Sequence, residues 1–306
     1  MTVLDARPDS APATRPASPM FVPTDFLMVL MVAIWGFNFP VVKYGTQVMS
    51  ALAFNAVRIS LAAVALLVFV RVTSHSRPTR RDVLILLALG VLGIGIYQML
   101  FLGSVANTDV GVAALLLASS PAFIALLSRF AGLGEISRRC ALGIALSLIG
   151  VAIIAFTSRV SLNGSSSTEG NTLAVVAAII WAVYVVLQAR FVPDVDDSTV
   201  AALTLTGGAV PLLLFGFPSI VATHWSSLPR GAFTAIIFSG LISLALASVF
   251  WYRGVRVLGA TRTGVYLHLE PVFALLAAWI WMHEHPTPMQ GVGAVTILAG
   301  VTLTHT

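Results

Sequence analysis

Glu270 and Pro271 interrupt the apolar run LHLEPVFALLAAWIWM, which extends from Leu267 to Met282. An ionised carboxylate is costly against lipid at that depth, so it must face the interior, be paired, or carry a proton. It could hold a substrate ammonium or a coupling proton; bonding to neighbouring helices is the structural alternative. Pro271 adds a second disturbance, because proline donates no N–H and its ring crowds the carbonyl four residues earlier, here that of Leu267. Pro121 does the same to Leu117 in another apolar run. Freed carbonyls are tolerated in a membrane beside protein, water or substrate, which makes Pro121 and Pro271 candidate hinges. The plain alternative is a packing kink mended by a serine or a water.

Further polar and aromatic groups share helix faces. Trp35, Asn38 and Val42, and again Trp181, Tyr184 and Gln188, fall at i, i+3 and i+7. Such faces suit a zwitterionic or aromatic substrate, with rings for apolar contact or a cation–π site and Asn38, Tyr184 and Gln188 for hydrogen bonds. Packing is the competing reading. Tyr97, Gln98 and Phe101 form another group, and the Tyr97 hydroxyl needs a partner that a cavity would supply. Ser248, Trp251 and Tyr252 lie beside Arg253 and read as interface anchors. Arg58 and Lys43 read as interfacial anchors with wet head groups, a gate or an acidic partner being the alternative. His268, two residues before Glu270, cannot share its face and reads as a structural hydrogen-bonding group.

Neither enzymatic nor metal chemistry emerges from spacing. In His283-Glu284-His285 adjacent side chains point about 100° apart on a helix, whereas zinc-protease histidines stand four residues apart. Pro286 and Pro288 follow at once and mark a turn. No paired carboxylates or serine–histidine set can be assigned, and Gly90, Gly93 and Gly95 read as close-packing positions within a helix. No cofactor and no metal are expected.

Positioning these groups falls to membrane helices. The 306 residues are 58% hydrophobic and 9% charged, with a mean hydropathy of +0.96, outside the range of soluble domains. Windows of the roughly 20 apolar residues that cross a bilayer occur at 26–45, 51–70, 83–104, 110–128, 140–158, 171–190, 198–221, 231–252, 263–282 and 287–304. Runs of this length suit helices better than the alternating strands of a barrel. The expectation is an all-α integral membrane protein of ten transmembrane helices. Residues 1–24, rich in proline, alanine and serine, are expected to form a disordered cytoplasmic tail and lack the order of features of a signal peptide. The single Cys140 allows no intrachain disulfide.

Basic residues orient the chain. Arg7, Arg15, Arg71, Arg77, Arg80, Arg81, Arg129, Arg138, Arg139, Arg190, Arg253, Arg256 and Arg262 fall on the side of the N terminus; Lys43, Arg159 and Arg230 fall opposite. The positive-inside rule then places both termini in the cytoplasm. The basic balance, with a pI near 10.0, follows from these helix ends, and no nucleic-acid partner is expected because no soluble domain offers a binding face.

The chain repeats itself. SSPAFIALLSRFAGLGE, ending at Glu135, matches LEPVFALLAAWIWMHE, ending at Glu284, with Pro121 over Pro271 and Phe123 over Phe273. Gly90, Gly143 and Gly150 stand over Gly240, Gly293 and Gly300, and AIWGFNFPVVKY answers IIWAVYVVLQAR. Five helices per half is an odd number, so the halves 25–158 and 171–304 are expected to be inverted repeats within one membrane domain. Glu270 has Ser120 as its duplicate, so the repeat itself does not demand the charge.

WGFNFPVVKYG, SSPAF and above all LEPVFALLAAWIWMHEHPTPMQGVGAVTILAGVTL resemble the drug/metabolite transporter superfamily, specifically its EamA-type exporters, over residues 26–304. The resemblance implies a ten-helix fold of two inverted five-helix repeats around a central cavity, and export of amino acids or other small metabolites. In the small multidrug exporters, distant relatives, the first helix carries a glutamate. Here Trp35 stands at that position and Trp181 at its duplicate, and windows 26–45 and 171–190 hold no Asp or Glu. Glu270 is then the only deeply placed carboxylate, and weak proton coupling is expected.

The expected protein is thus a multi-pass secondary transporter of a bacterial inner membrane, with a small-molecule substrate and the lipid bilayer as partners, for which a monomer suffices. Export of cationic drugs or phosphorylated sugars is the nearest alternative, and an intramembrane enzyme or sensor the alternative of another class. Phosphate would favour several mid-depth cations, whereas Arg clusters at one edge. Cysteines introduced at 159–170 or 223–230 should react with an impermeant thiol reagent in intact cells, and cysteines at 74–80 should not; the reverse pattern would overturn the orientation.

Overall fold

Lipid offers backbone N–H and C=O groups no partner, so apolar runs close their hydrogen bonds internally as helices. In the computed structural model, which describes residues 23–74, 77–132, 137–157, 167–191, 195–258, 263 and 266–304, the runs become α1 (Pro23–Val48), α2 (Ala51–Thr73), α3 (Arg80–Asn107), α4 (Val110–Phe130) and α5 (Arg138–Thr157). There follow α6 (Thr168–Phe191), α7 (Asp197–Ala222), α8 (Arg230–Leu258), α9 (Glu270–Met282) and α10 (Pro288–Thr304). No strand occurs among the described residues. Residues 1–22 of the expected tail and Glu135 lie outside the described residues, as does the side chain of His268.

Seven of these helices, among the described residues, are long and apolar enough to cross a membrane; α9 is shorter. Val68, Leu214, Phe215 and Trp279 lie exposed on the outside while Arg58, Asn55 and Asp25 are fully buried. That inversion of the soluble pattern is what a lipid solvent requires.

Polar contacts at the two ends give the helix directions. Ser74, just past α2, donates to Asp196 before α7 at 2.7 Å, and Arg256 near the end of α8 pairs with Asp197 at 3.0 Å. At the other end, Lys43 near the close of α1 reaches the Thr108 carbonyl after α3, and Ser167 before α6 donates its N–H to Asn107 at 3.0 Å. Helices α1 and α6 therefore traverse the bundle in opposite directions. The first helix begins at Pro23, earlier than its sequence window, and so contains Asp25, which accepts a 2.6 Å hydrogen bond from Tyr266. The expectation that neither the first nor the sixth helix holds a carboxylate is corrected for both: backbone hydrogen bonding carries each beyond its most apolar stretch, and α6 takes in Glu169.

The helices are also interrupted. Helix α4 breaks between Leu117 and Ser120, and a 3-10 turn at Leu267–Leu269 precedes α9, so Pro121 and Pro271 each stand in the first turn of a new segment. Neither kinks a continuous helix as the sequence suggested, since proline needs no N–H partner in a first turn. Glu270 opens α9 instead of lying eight residues within it, where its carboxylate meets the positive end of the helix dipole. Ser120 donates to the Leu117 carbonyl at 2.6 Å, which satisfies that freed group. Wider π turns occupy Val91–Ile96 of α3 and Phe238–Leu246 of α8, the stretches around the matched Gly90 and Gly240.

Glycine permits the closest contacts. A Cβ on Gly150 would lie 2.8 Å from the Gly293 carbonyl, and one on Gly300 would lie 2.6 Å from that of Gly143. Helices α5 and α10 thus meet backbone to backbone at the glycines that the sequence pairs. Gly150→Ala should lower the thermal midpoint in detergent, with an overpacking cost of about 1–3 kcal/mol. Gly291→Ala, with no atom within 4 Å of its added carbon, should leave it unchanged or raise it; equal effects would remove backbone contact as the constraint.

Candidate functional site

The interrupted helices surround a cavity of about 100 Å³. Trp35 and Asn38 reach it from α1, Tyr97, Gln98 and Phe101 from α3, and Trp181 from α6. Glu270 and Pro271 enter from the start of α9, and Ser120 and Pro121 from the matching break in α4. Both halves of the chain therefore contribute to one wall-to-wall space.

Aromatic rings form its apolar surface. Trp35 and Trp181 meet edge to face with centroids 6.5 Å apart, Tyr97 lies 5.0 Å from Trp181, and Tyr97 stacks on Phe101 at 6.1 Å. The Trp35 indole is fixed by donation to the Ser243 carbonyl at 3.0 Å, within the π turn of α8. That bond orients the ring from the opposite half of the chain. The polar atoms are fewer. Asn38, 6% exposed, has its Oδ1 buried without a hydrogen-bond partner. Among the described residues, the Tyr97 hydroxyl and the Glu270 carboxylate also make no hydrogen bond or ion pair. A site with open acceptors, an open hydroxyl and several aromatic faces can bind a small polar molecule that carries an apolar part.

Two of the expected site residues lie elsewhere. Tyr184 is 1% exposed and its hydroxyl bonds that of Tyr252 at 2.6 Å, so it serves the packing behind Trp181. Gln188 is not among the cavity residues. Helical spacing correctly put Tyr184 and Trp181 near one face, but their centroids, 5.3 Å apart, belong to one stack of which only Trp181 reaches the opening.

The interface-anchor reading of the eighth-helix group is also corrected. Ser248 lines the cavity, and Trp251 is buried with its ring 5.9 Å from Trp35 and 6.3 Å from Trp181. Helix α8 runs on to Leu258, which sets both residues deeper than a window ending at Tyr252 implied. Ser243 was missed outright; the π turn that presents it leaves no mark in an apolar run.

Arg58 and Lys43 do not keep wet head groups. Arg58 is fully buried, donating to Asn55 Oδ1 at 3.0 Å, Ser239 Oγ at 2.7 Å and Gln98 Oε1 at 2.6 Å. Lys43, 9% exposed, donates to the Thr108 carbonyl at 2.9 Å and to Glu284 Oε1 at 3.1 Å, while Glu284 Oε2 accepts from the Gly111 N–H at 3.3 Å. These bonds tie the ends of α1 and α9 to the start of α4. Burial raises the Glu284 carboxyl above its usual range, and the Lys43 ammonium opposes that shift. A raised carboxyl contributes stability that is complete below the ordinary glutamate range and lost as pH rises through the raised value. Near neutrality the Lys43 contact offsets part of that loss. His283 closes α9 with a left-handed backbone (φ 54°), and no metal-binding group of histidine, cysteine and carboxylate occurs among the described residues.

An apolar helical bundle around a polar-aromatic cavity is the form of a membrane transporter. The EamA-like transporter family matches this chain twice, over residues 22–156 and 168–306, and the chain belongs to that family. It is 28% identical to the uncharacterized transporter YdfC of Bacillus subtilis (strain 168), covering 90% of this chain and 89% of that one. Likewise it is 28% identical to a probable terminal-alkyne amino-acid exporter of Streptantibioticus cattleyicolor, over 90% and 91% of the two chains. A probable amino-acid metabolite efflux pump of Salmonella typhimurium is 29% identical over 90% and 92%. A crystal structure with 18% identity shares the fold at a TM-score of 0.63, covering 92% of this chain and 96% of that one. The chain is therefore a multi-pass membrane transporter of the EamA family.

Glu284→Leu should destabilise the folded protein by roughly 2 kcal/mol or more, because it strands the Lys43 ammonium in a mostly buried site. Lys43→Met combined with Glu284→Leu should recover most of that loss. Thermal unfolding in detergent checks the cycle, and strictly additive effects would mean that the pair does not act as a unit.

Proposed function

We propose that the chain exports small metabolites, amino acids foremost, across a bacterial inner membrane by alternating access around the central cavity. The observation that carries this reading is the cavity itself: an unpartnered carboxylate, an unpartnered amide oxygen and three tryptophan or tyrosine faces from both halves of the chain. An ammonium group fits Glu270 and the aromatic faces, and a side chain fits the rings. The names of the amino-acid exporter and efflux-pump relatives agree with that chemistry.

The inverted arrangement gives a route for substrate. This reading takes ten crossings, five per half, with the matched breaks at Ser120–Pro121 and Glu270–Pro271, both in the cavity wall, as its hinges. Both termini then face the cytoplasm, and a single chain contains the complete site. A phosphorylated sugar is disfavoured because no Lys or Arg lines the cavity among the described residues. An organic cation is the second reading, favoured by the one carboxylate among aromatic rings.

Purified protein in liposomes should exchange labelled amino acids, with Trp35→Ala, Asn38→Ala and Trp181→Ala each lowering flux at least about tenfold while the protein stays monodisperse. A one-unit pH difference should add little to the flux. Glu270→Gln should depress downhill exchange and uphill accumulation together, as a substrate contact does. Accumulation driven by the pH difference and lost in Glu270→Gln, with downhill exchange intact, would identify Glu270 as a coupling acid and overturn this part of the reading. Exchange of organic cations without amino acids would favour the second.

A further inference from the structure

Arg58 is the one fully buried arginine among the described residues, and each of its hydrogen-bond acceptors is neutral: Asn55, Ser239 and Gln98. The Phe54 ring, 5.6 Å from the guanidinium carbon, adds only a quadrupole contact. No carboxylate pairs with Arg58 among the described residues. A desolvated cation with neutral neighbours leaves a positive field that an anion nearby would relieve.

Gln98 is the route to that anion. Guanidinium groups only donate, so the 2.6 Å contact fixes the Gln98 amide with its oxygen towards Arg58. The amide NH₂ is then turned away from Arg58, on a side chain that lines the cavity. It has no acceptor among the described residues, and neither has the neighbouring Tyr97 hydroxyl. The α3 wall therefore presents donors backed by a fixed positive charge.

Helices α1 and α9 supply another part of the wall. Helices α1 and α9 pack so closely that a Cβ on Gly36 would lie 2.9 Å from the Glu270 carbonyl. That pair of helices brings Asn38, with its buried unpartnered Oδ1, and the Glu270 carboxylate to one cavity. The Asn38 Oδ1 and the Glu270 carboxylate are open acceptors there.

The geometry points to a two-pole site selective for zwitterions: Gln98 and Tyr97, with Arg58 as the positioning residue behind Gln98, take an α-carboxylate, while Glu270 and Asn38 take the α-ammonium. This rests on the amino-acid reading above and narrows it. A ligand with both groups compensates Arg58 and Glu270 at once. A decarboxylated amine leaves the Arg58 pole unanswered, and a carboxylic acid without the amine leaves Glu270 so. Sites built to bond a polar group reject analogues that lack it more strongly than they reject a change of size.

Quenching of tryptophan fluorescence in detergent tests this without transport, since Trp35 and Trp181 border the cavity. Three probes share one side chain: L-phenylalanine, phenethylamine and 3-phenylpropanoate. The parent should bind L-phenylalanine on the order of tenfold or more tighter than either analogue. Gln98→Glu keeps an acceptor for Arg58 and removes the donors, so it should fold and should weaken L-phenylalanine by a similar factor while phenethylamine binds as well or better. Gln98→Met should close the gap between amino acid and amine. A purely structural role for Gln98 would weaken all three ligands alike, and that result overturns the proposal. So would parent affinities for L-phenylalanine and phenethylamine within twofold of each other, which would leave an amino-acid transporter that ignores the carboxylate. If phenethylamine alone binds, the amino-acid reading falls, and the zwitterion site with it.

Discussion

No water replaces a lost backbone hydrogen bond in lipid, and this constraint governs where the chain can leave the α-helix. The broken α4, the 3-10 turn before α9 and the π turns of α3 and α8 each contribute to the cavity wall, through Leu117 and Ala118, Leu267, Ile94, and Ser243 and Leu244. Among the described residues, these four interruptions of membrane helices thus fall where protein, water or a ligand can satisfy the backbone. Where it is not left open it is mended locally: Ser119 and Ser120 donate to the Leu116 and Leu117 carbonyls, and Trp35 donates to that of Ser243. The cavity is the consequence of these interruptions, since four helices change direction or pitch around it.

Polar groups away from the cavity are used differently. Tyr184, Tyr252 and Thr204 form a chain of hydroxyls with contacts of 2.6 and 3.3 Å behind Trp181, and Gly93 packs against the Tyr184 ring. A bonded hydroxyl in a low-dielectric interior restrains the ring that carries it, so Trp181 stands on a rigid support. Lys43 and Glu284 restrain one end of the bundle, Asp25 and Tyr266 the other. The chain therefore spends its buried polar residues on fixing aromatic surfaces and helix ends, and leaves a small set facing the cavity.

The sequence carried more of this fold than of its site. Long apolar runs, the match of Pro121 with Pro271 and the spacing of glycines specify helices and their pairing, because a lipid solvent tolerates few alternatives. Trp35, Asn38, Tyr97, Gln98, Trp181 and Glu270 were legible as cavity-lining residues for a related reason: polar and aromatic groups in apolar helices must find partners inside. What failed was depth and rotation. Arg58 looked close enough to an edge to snorkel, yet α2 packs under the π turn of α8, with the Arg58 carbonyl 2.8 Å from where a Cβ of Gly240 would lie. Trp251 reads as an anchor only on a helix that ends at Tyr252, whereas α8 continues to Leu258. Tyr184 shares a face with Trp181 in projection but points one ring further from the opening. Each error came from a feature that periodicity does not record: a π turn, a helix prolonged past its apolar core, or the identity of the neighbour.

The duplication also bears on which parts can move. Gly143 meets Gly300 and Gly150 meets Gly293, so each contact is the other with its partners exchanged between matched positions. A two-fold interface of this kind uses the same patch on both sides. Small residues in backbone contact leave little room for sliding, because any shift drives a carbonyl against a Cα. Helices α5 and α10 are therefore suited to remain paired. The cavity residues break this symmetry, since Ser120 stands at the position matched to Glu270. A site that faced both directions with equal chemistry would need a carboxylate in each half; in the zwitterion site proposed above, one carboxylate and one buried arginine define a single orientation for the bound molecule.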